Sequence, residues 1–383
     1  MNVVQINYAF DTALSDPAAL LDRYSTLVGW SEALAAAGAR QVTTLQRFGE
    51  NAKLTHHGID YVFCADDRRL HRTAVRAVPD IVHVNGLIFP GRTWWLRRML
   101  PRRTAIVVQD HASGAPDVAA ASPLQSMRRA ARRHAMRAPD GFLFTAAEQA
   151  EAWRRAGLID PTRPVYPVME ASTTLRALPC AAARQASGIE GDPAVLWVGR
   201  LNANKDPLTV LDGFERSLAR CPRAVLTMAY GAEDLLPAVR ARLSASSTLH
   251  RRVRLAGSVS HDLMAAFYSA ADIFVLGSHH EGSGYALLEA LACGLAPVVT
   301  DIPTFRMMTA QGSLGALWTP GDAPGLARAL EEVAGRDSKC RRARVAEHFE
   351  RTLSWAAVGA EAMKAYRDVV SRRRSATGDW ATA

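Results

Sequence analysis

The sequence predicts an α/β protein of two doubly wound, Rossmann-like domains facing a central cleft. Short apolar, β-branched runs alternate with longer helical patterns, the alternation pauses once near mid-chain, and it then resumes. Strands that are apolar almost throughout mark a parallel sheet covered on both faces. The 383 residues also suffice for two domains, each with its own core.

In the first half the expected strands are residues 3–7, 41–46, 59–63, 80–84, 104–109 and 141–145. Helical patterns cover 17–37, 91–100 and 123–137. From Pro161 to Pro193 there are five prolines and no clear period, which reads as an interdomain connection. Strands then recur at 194–198, 224–230, 252–256, 273–277 and 296–300, with helices at 206–220, 234–245, 261–270 and 284–293. The tail, 321–374, is helical, with Trp355 and Tyr366 on apolar stripes. The domains are expected at 1–168 and 169–353, and ligands of such domains bind beyond the carboxyl ends of the strands.

Composition narrows the function classes. Hydrophobic residues are 49% and charged residues 22%, the balance of a globular protein. The net charge of +9 is almost all arginine, since only Lys53, Lys205, Lys339 and Lys364 are lysines. That charge suits anionic substrates or acidic lipid; no nucleic-acid signature accompanies it, so no nucleic-acid partner is expected. The five cysteines have no CxxC or Cys/His spacing, which argues against a disulfide scaffold and a zinc site. MNVVQINYAF enters a strand without a basic leader, and no run approaches a membrane span, so a cytoplasmic protein is expected.

Two blocks carry the chemistry. In VLWVGRLNANKDP (195–207) a strand ends at Gly199 and a helix begins near Asp206, with Pro207 as its first residue. Arg200 and Lys205 lie between, and two cations on such a loop can clamp a diphosphate, Arg by a forked contact and Lys as a point charge. A solvated basic loop is the plainer reading of this block alone. In SHHEGSGYALLEALACGLAPVV (278–299), Glu281 precedes a Gly-Ser-Gly turn, and a helix runs to its C-cap Gly294. The glycines let backbone N–H groups face an anion. Glu289, flanked by Leu288 and Ala290, needs a hydroxyl or cationic partner if its helix is buried.

Together, GRL-x3-K and EGSGYALLEALACG resemble the signature of retaining glycosyltransferases of the GT-B fold, family 4. Glu281 and Glu289 match the two acids of that family's Glu-x7-Glu pattern, and the resemblance covers most of 194–325. It implies a nucleotide diphosphate sugar as donor and C-terminal helices, about 354–374, crossing back to the first domain. Arg200 and Lys205 would bind the diphosphate, and Glu289 the ribose hydroxyls. Glu281, with the amides of Gly282, Ser283 and Gly284, would hold the sugar and distal phosphate, beside Gly199. Val259 would lie near the base. His111, in VVQDHASG beyond the strand at 104–109, corresponds to a histidine that contacts the donor sugar; a loop histidine bonded to backbone is the other reading. Asp110 orients it or caps the next turn.

No Asp-x-Asp motif is present and neither His56-His57 nor His279-His280 has evident co-ligands, because neighbouring side chains on a strand or helix diverge. No metal and no cofactor are therefore expected. The chain departs from the family pattern in NYAFDTALSDP (7–17), which lacks the glycine-rich first loop, and in PVMEAS (167–172), which lacks the usual Asn-Gly. The acceptor, a glycan, a lipid-linked sugar or a small molecule, is not specified. WWLRRMLPRR (94–103) and MRRAARRHAMR (127–137) admit peripheral contact with the inner face of a membrane. Packing of Trp94 and Trp95 into the core is the favoured reading of the first. The rivals to transfer are a non-catalytic nucleotide-sugar-binding subunit and an epimerase or phosphorylase of the same fold.

Overall fold

In the computed structural model, which describes residues 1–111, 122–336 and 338–378, the chain divides into two units. Unit 1 comprises Met1–Ser172 and Trp355–Ala383, and unit 2 comprises Thr173–Ser354.

Unit 1 is built on β1 (Asn2–Asn7), β2 (Gln41–Arg47), β3 (Ala52–His56), β4 (Ile59–Cys64), β5 (Ile81–Asn85), β6 (Ala105–Gln109), β7 (Gly141–Phe144) and β8 (Val165–Pro167). Their order is β3-β4-β2-β1-β5-β6-β7-β8, and every pair is parallel except β3 with β4. The central strands are buried along their length, as strands covered on both faces must be. The alternating β3 and the three-residue β8 escape the sequence reading because neither has an apolar run. The helices are α1 (Pro17–Arg23), α2 (Ser25–Ala36), α3 (Asp67–Arg76), α4 (Pro90–Met99), α5 (Pro123–Ala135) and α6 (Gln149–Arg155). The single helix expected over 17–37 breaks at Tyr24, which leaves the helical region (φ −106°, ψ 58°) and donates its hydroxyl to Asp11 at 2.8 Å.

The last helix, Trp355–Thr377, completes this unit by lying on α2. The approach is close: a Cβ on Gly359 would overlap the carbonyl oxygen of Ala33. Tyr366 bonds the buried His83 at 2.6 Å, and Arg373 reaches Asp140 at 3.2 Å. Buried Asp140 also accepts from the Ile106 amide and from Arg97, both at 2.9 Å. Burial lowers the Arg97 pKa to about 10 against the opposing charge of Asp140.

Unit 2 holds β9 (Ala194–Gly199), β10 (Val225–Tyr230), β11 (Val253–Gly257), β12 (Ile273–Leu276), β13 (Ala296–Thr300) and β14 (Ala316–Trp318), all parallel, in the order β11-β10-β9-β12-β13-β14. Around them pack α7 (Cys180–Ser187), α8 (Pro207–Ser217), α9 (Leu236–Ser244), α10 (Ser247–Arg252), α11 (His261–Ala270), α12 (Tyr285–Ala292), α13 (Pro303–Met308), α14 (Ala323–Ala334) and α15 (Ser338–Thr352). The segment read as a bare connection contains both β8 and α7. That helix docks on α11, with Arg184 donating to the Ala270 carbonyl at 3.1 Å and to Asp272 at 3.1 Å. Of the tail helices, α15 packs on α12 within unit 2, so only the last helix returns to unit 1.

Candidate functional site

The strand order of unit 2 reverses direction at β9, with β10 on one side and β12 on the other. At such a switch point the loops leaving the carboxyl ends diverge and open a crevice. Those loops are 200–206, after β9, and 277–284, after β12, and Asn204 ties them together. Its backbone carbonyl accepts from the His279 amide at 2.9 Å. Its side chain donates to the His280 carbonyl and accepts from the His280 amide, each at 3.0 Å. Gly277 lets the loops meet, since a Cβ there would lie 3.1 and 3.2 Å from the carbonyl oxygens of Lys205 and Asp206.

Lys205 ends a 3-10 turn, Ala203–Lys205, whose start is capped by Asn202 accepting from the Lys205 amide at 3.1 Å. Across the loops Lys205 Nζ donates to Glu281 Oε1, with the side chains only 17% and 11% exposed. Thr304 Oγ1 anchors the acid's backbone by donating to its carbonyl at 2.7 Å. Gly199 ends β9, and Arg200 follows it, exposed. Gly282 and Ser283 are half-buried, and Gly284 caps α12 at φ +62°, a conformation suited to glycine. Asp206, itself left-handed at φ +41°, caps α8 and sits 3.3 Å from His279 Nε2.

Glu289 lies further along α12, half-buried, and accepts from the fully buried Tyr268 hydroxyl at 2.8 Å. Burial raises its pKa, opposed by the Tyr268 bond and by the charge of His261. The partner that the sequence demanded is thus a tyrosine from α11. Val259 stands apart, half-buried after the edge strand β11 and separated from β9 by β10.

Unit 1 has its own switch point at β1, between β2 and β5. His111 lies beside it: Nδ1 pairs with Glu170, and Nε2 is 3.2 Å from Asn85 Oδ1. Burial alone would depress this imidazole. The bond and charge of Glu170, with Asp110 adding its charge, override that and raise the pKa. Glu170 comes from PVMEAS, the segment that departs from the family pattern; an acid amid apolar residues was its only signal in the sequence. The rest of the histidine motif, residues 112–114, falls outside the described residues.

The expectation that both histidine pairs diverge fails at the first. His57 occupies the turn between β3 and β4 at φ +48°, and its ring stacks on His56 at 3.9 Å. With Glu32 the two form a cluster whose ligand atoms lie within 4.8 Å of one another, the one such cluster among the described residues. His279 turns to Asp206 instead. The packing expected for both tryptophans also fails: Trp94 is half-buried against His134, with Arg98 4.0 Å from its ring, whereas Trp95 is 60% exposed. Among the described residues no helix is long and apolar enough to cross a membrane.

Comparison with known proteins bears on the second unit's sequence and on the fold. Residues 192–335 match the family model of the Glycosyl transferases group 1. A GDP-mannose:cellobiosyl-diphosphopolyprenol alpha-mannosyltransferase of Xanthomonas campestris is 32% identical over 123 residues, 32% of each chain. A phosphatidyl-myo-inositol mannosyltransferase of Mycolicibacterium smegmatis is 31% identical over 182 residues, 46% of this chain and 45% of that one. The chain thus matches less than half the length of these relatives. Among solved structures, sucrose-phosphate synthase of Thermosynechococcus elongatus superposes with a TM-score of 0.66 at 19% identity, covering 97% of this chain and 99% of that one. A glycosyltransferase of Rickettsia africae gives 0.68 at 11% identity, covering 96% and 98%. The fold is GT-B.

Proposed function

We propose that this chain, whose second unit carries the group 1 glycosyl transferase segment, moves a sugar from a nucleoside diphosphate donor to an acceptor hydroxyl with retention of configuration. The observation that carries the reading is the Lys205–Glu281 pair, fixed at the switch point of unit 2 by the Asn204 contacts.

In this reading Lys205 and Arg200 bind the diphosphate and stabilise the charge that grows on it as the glycosidic bond breaks. The amides of Gly282, Ser283 and Gly284 face the sugar and distal phosphate, while Glu289 accepts from the ribose hydroxyls. Gly199 and Val259 line the nucleotide, and His111 is a sugar-hydroxyl ligand. A double displacement needs a carboxylate placed at the anomeric carbon. In this reading Glu281, paired with Lys205, and Glu289, bonded by Tyr268, are both assigned to donor recognition, which favours a front-face route in which the leaving phosphate takes the acceptor proton. Two side-chain cations do the work of a metal, so a chelator should leave the rate unchanged.

Donor hydrolysis without acceptor, followed by nucleoside diphosphate release, tests the reading. A binding subunit would give none. A panel of nucleoside diphosphates and their sugars should raise the melting temperature; no shift with any of them would remove the donor assignment.

The exposed Trp95, Met99, Leu124 and Met127, interspersed with the arginines of α4 and α5, support peripheral binding to an anionic bilayer. Cosedimentation with anionic but not zwitterionic vesicles is the expected result.

A further inference from the structure

The turn between β3 and β4 lies at the amino ends of the parallel strands β2 and β4, and so at the end of the sheet opposite the switch point at β1. Its two residues, His57 and Gly58, both have positive φ, +48° and +77°, the pattern of a type I′ turn. Asparagine, aspartate or glycine is the usual first residue of such a turn; here it is a histidine. Along a strand, neighbouring side chains point to opposite faces. The left-handed residue ends that alternation, and the His57 ring comes to lie on the His56 ring, their centroids 3.9 Å apart and their planes at 27°. His56 is held in turn against the fully buried Tyr61 of β4, at a centroid distance of 6.4 Å. That is the diagonal contact of a hairpin in which His56 pairs with Ile59.

Glu32 arrives from α2. This helix runs back from the carboxyl end of β1 toward the amino end of β2, which brings its last turns beside the hairpin. Between the buried Ser31 and Ala33, the Glu32 side chain stays 40% exposed and pairs through Oε1 with His57 Nδ1.

Two imidazole nitrogens and a carboxylate oxygen, all within 4.8 Å of one another, are a donor set for a borderline divalent ion. Imidazole suits zinc and nickel, whereas magnesium and calcium take oxygen ligands. Bonds to zinc of about 2.0–2.2 Å set tetrahedral ligand atoms about 3.3–3.6 Å apart. No pair in the cluster therefore has to close by more than about 1.5 Å, within reach of rotation about the Glu32 and His57 side chains. As a bare ion pair, His57–Glu32 would contribute little at such exposure, and it would not account for the second imidazole.

We infer that Glu32, His56 and His57 bind one divalent ion of the zinc–nickel class, with water completing its coordination, and that this ion pins the β3–β4 hairpin to α2. It takes no part in the donor chemistry and stands or falls independently of the transferase reading.

The test is calorimetric titration of the full chain, free of any histidine tag, with zinc chloride and nickel chloride, against magnesium chloride and calcium chloride. One equivalent of zinc or nickel should bind, and magnesium and calcium should not. Glu32→Gln, His56→Gln and His57→Asn should each weaken zinc by at least about tenfold, since losing even an outer-shell partner costs that much. Asparagine accepts a left-handed turn position, so His57→Asn removes the ligand and keeps the hairpin. The clamp is read by amide hydrogen exchange. At a zinc concentration about ten times Kd, exchange across 55–60 should slow about tenfold in the parent and by no more than about twofold in His57→Asn. Zinc binding unchanged by Glu32→Gln would leave only a histidine pair and overturn the site. So would magnesium binding as tight as zinc, or no binding by about 1 mM zinc. One-equivalent binding that leaves hairpin exchange unaltered would overturn the clamp.

Discussion

Replacing Lys205 by alanine should separate what the Lys205–Glu281 pair does for stability from what it does for chemistry. Removing one member of a fully buried ion pair costs about 3–5 kcal/mol, because the other charge is left behind. Here the side chains keep 17% and 11% of their exposure, so about 2–3 kcal/mol is the expected loss. In a unit of this size that is a fall in Tm of roughly 5–10 °C. Adding Glu281→Gln to the alanine variant replaces the stranded carboxylate by a neutral amide and should recover about half of the loss. The chemistry should not recover. Loss of a cation that stabilises developing phosphate charge lowers turnover about 10²–10³-fold, equivalent to ~2.7–4 kcal/mol. Urea unfolding measures the first quantity, and donor hydrolysis at a temperature where every variant is folded measures the second. Turnover of Lys205→Ala within about tenfold of the parent would refute the phosphate clamp. Recovery of turnover in the double variant would show that Lys205 acts only by neutralising Glu281.

Tyr268→Phe removes the hydroxyl bond that opposes burial at Glu289, so this already raised pKa should climb further. An acid with a raised folded pKa costs stability once it ionises; stability should therefore fall as pH rises from the ordinary glutamate value of 4.5 through the folded value, and by more in the variant. Melting curves across that range check this, and identical pH profiles would contradict it. The same variant should raise the donor KM by about tenfold while sparing kcat. His111 has the opposite sign: its pairing contributes stability fully present below the unfolded value of 6.5 and lost as pH rises through the raised folded pKa. Glu170→Gln should abolish that dependence and bring the imidazole titration, followed by NMR, below its wild-type position. Gly359→Ala should drive the last helix off α2 and cost about 2–3 kcal/mol in urea unfolding, with activity per folded molecule unchanged.

The residues the sequence exposes and those it hides differ in one physical respect. Gly199, Arg200, Lys205, Glu281 and Gly284 each sit in a strand–loop–helix unit a dozen residues long, so their placement at a strand's carboxyl end follows from local periodicity. What they touch does not. Lys205 and Glu281 are 76 positions apart and meet only because β12 lies beside β9, an adjacency that no local pattern encodes. Tyr268, Asn204 and Glu170 were invisible for the same reason: each becomes a partner only through tertiary neighbours. The sequence dismissed His57 by assuming strand geometry, and a left-handed turn residue undid that assumption. Gln5 and Gln109 show how part of the hidden information can be recovered. Gln5 stands between Val4 and Ile6 in NVVQIN and Gln109 ends AIVVQ, in a sheet whose central strands must be covered on both faces. A buried amide there must find a partner or lose stability. Ser31 of α2 is that partner for Gln5, at 3.4 Å, and His83 of β5 for Gln109; the amide announces that a partner exists, and only the tertiary fold says which.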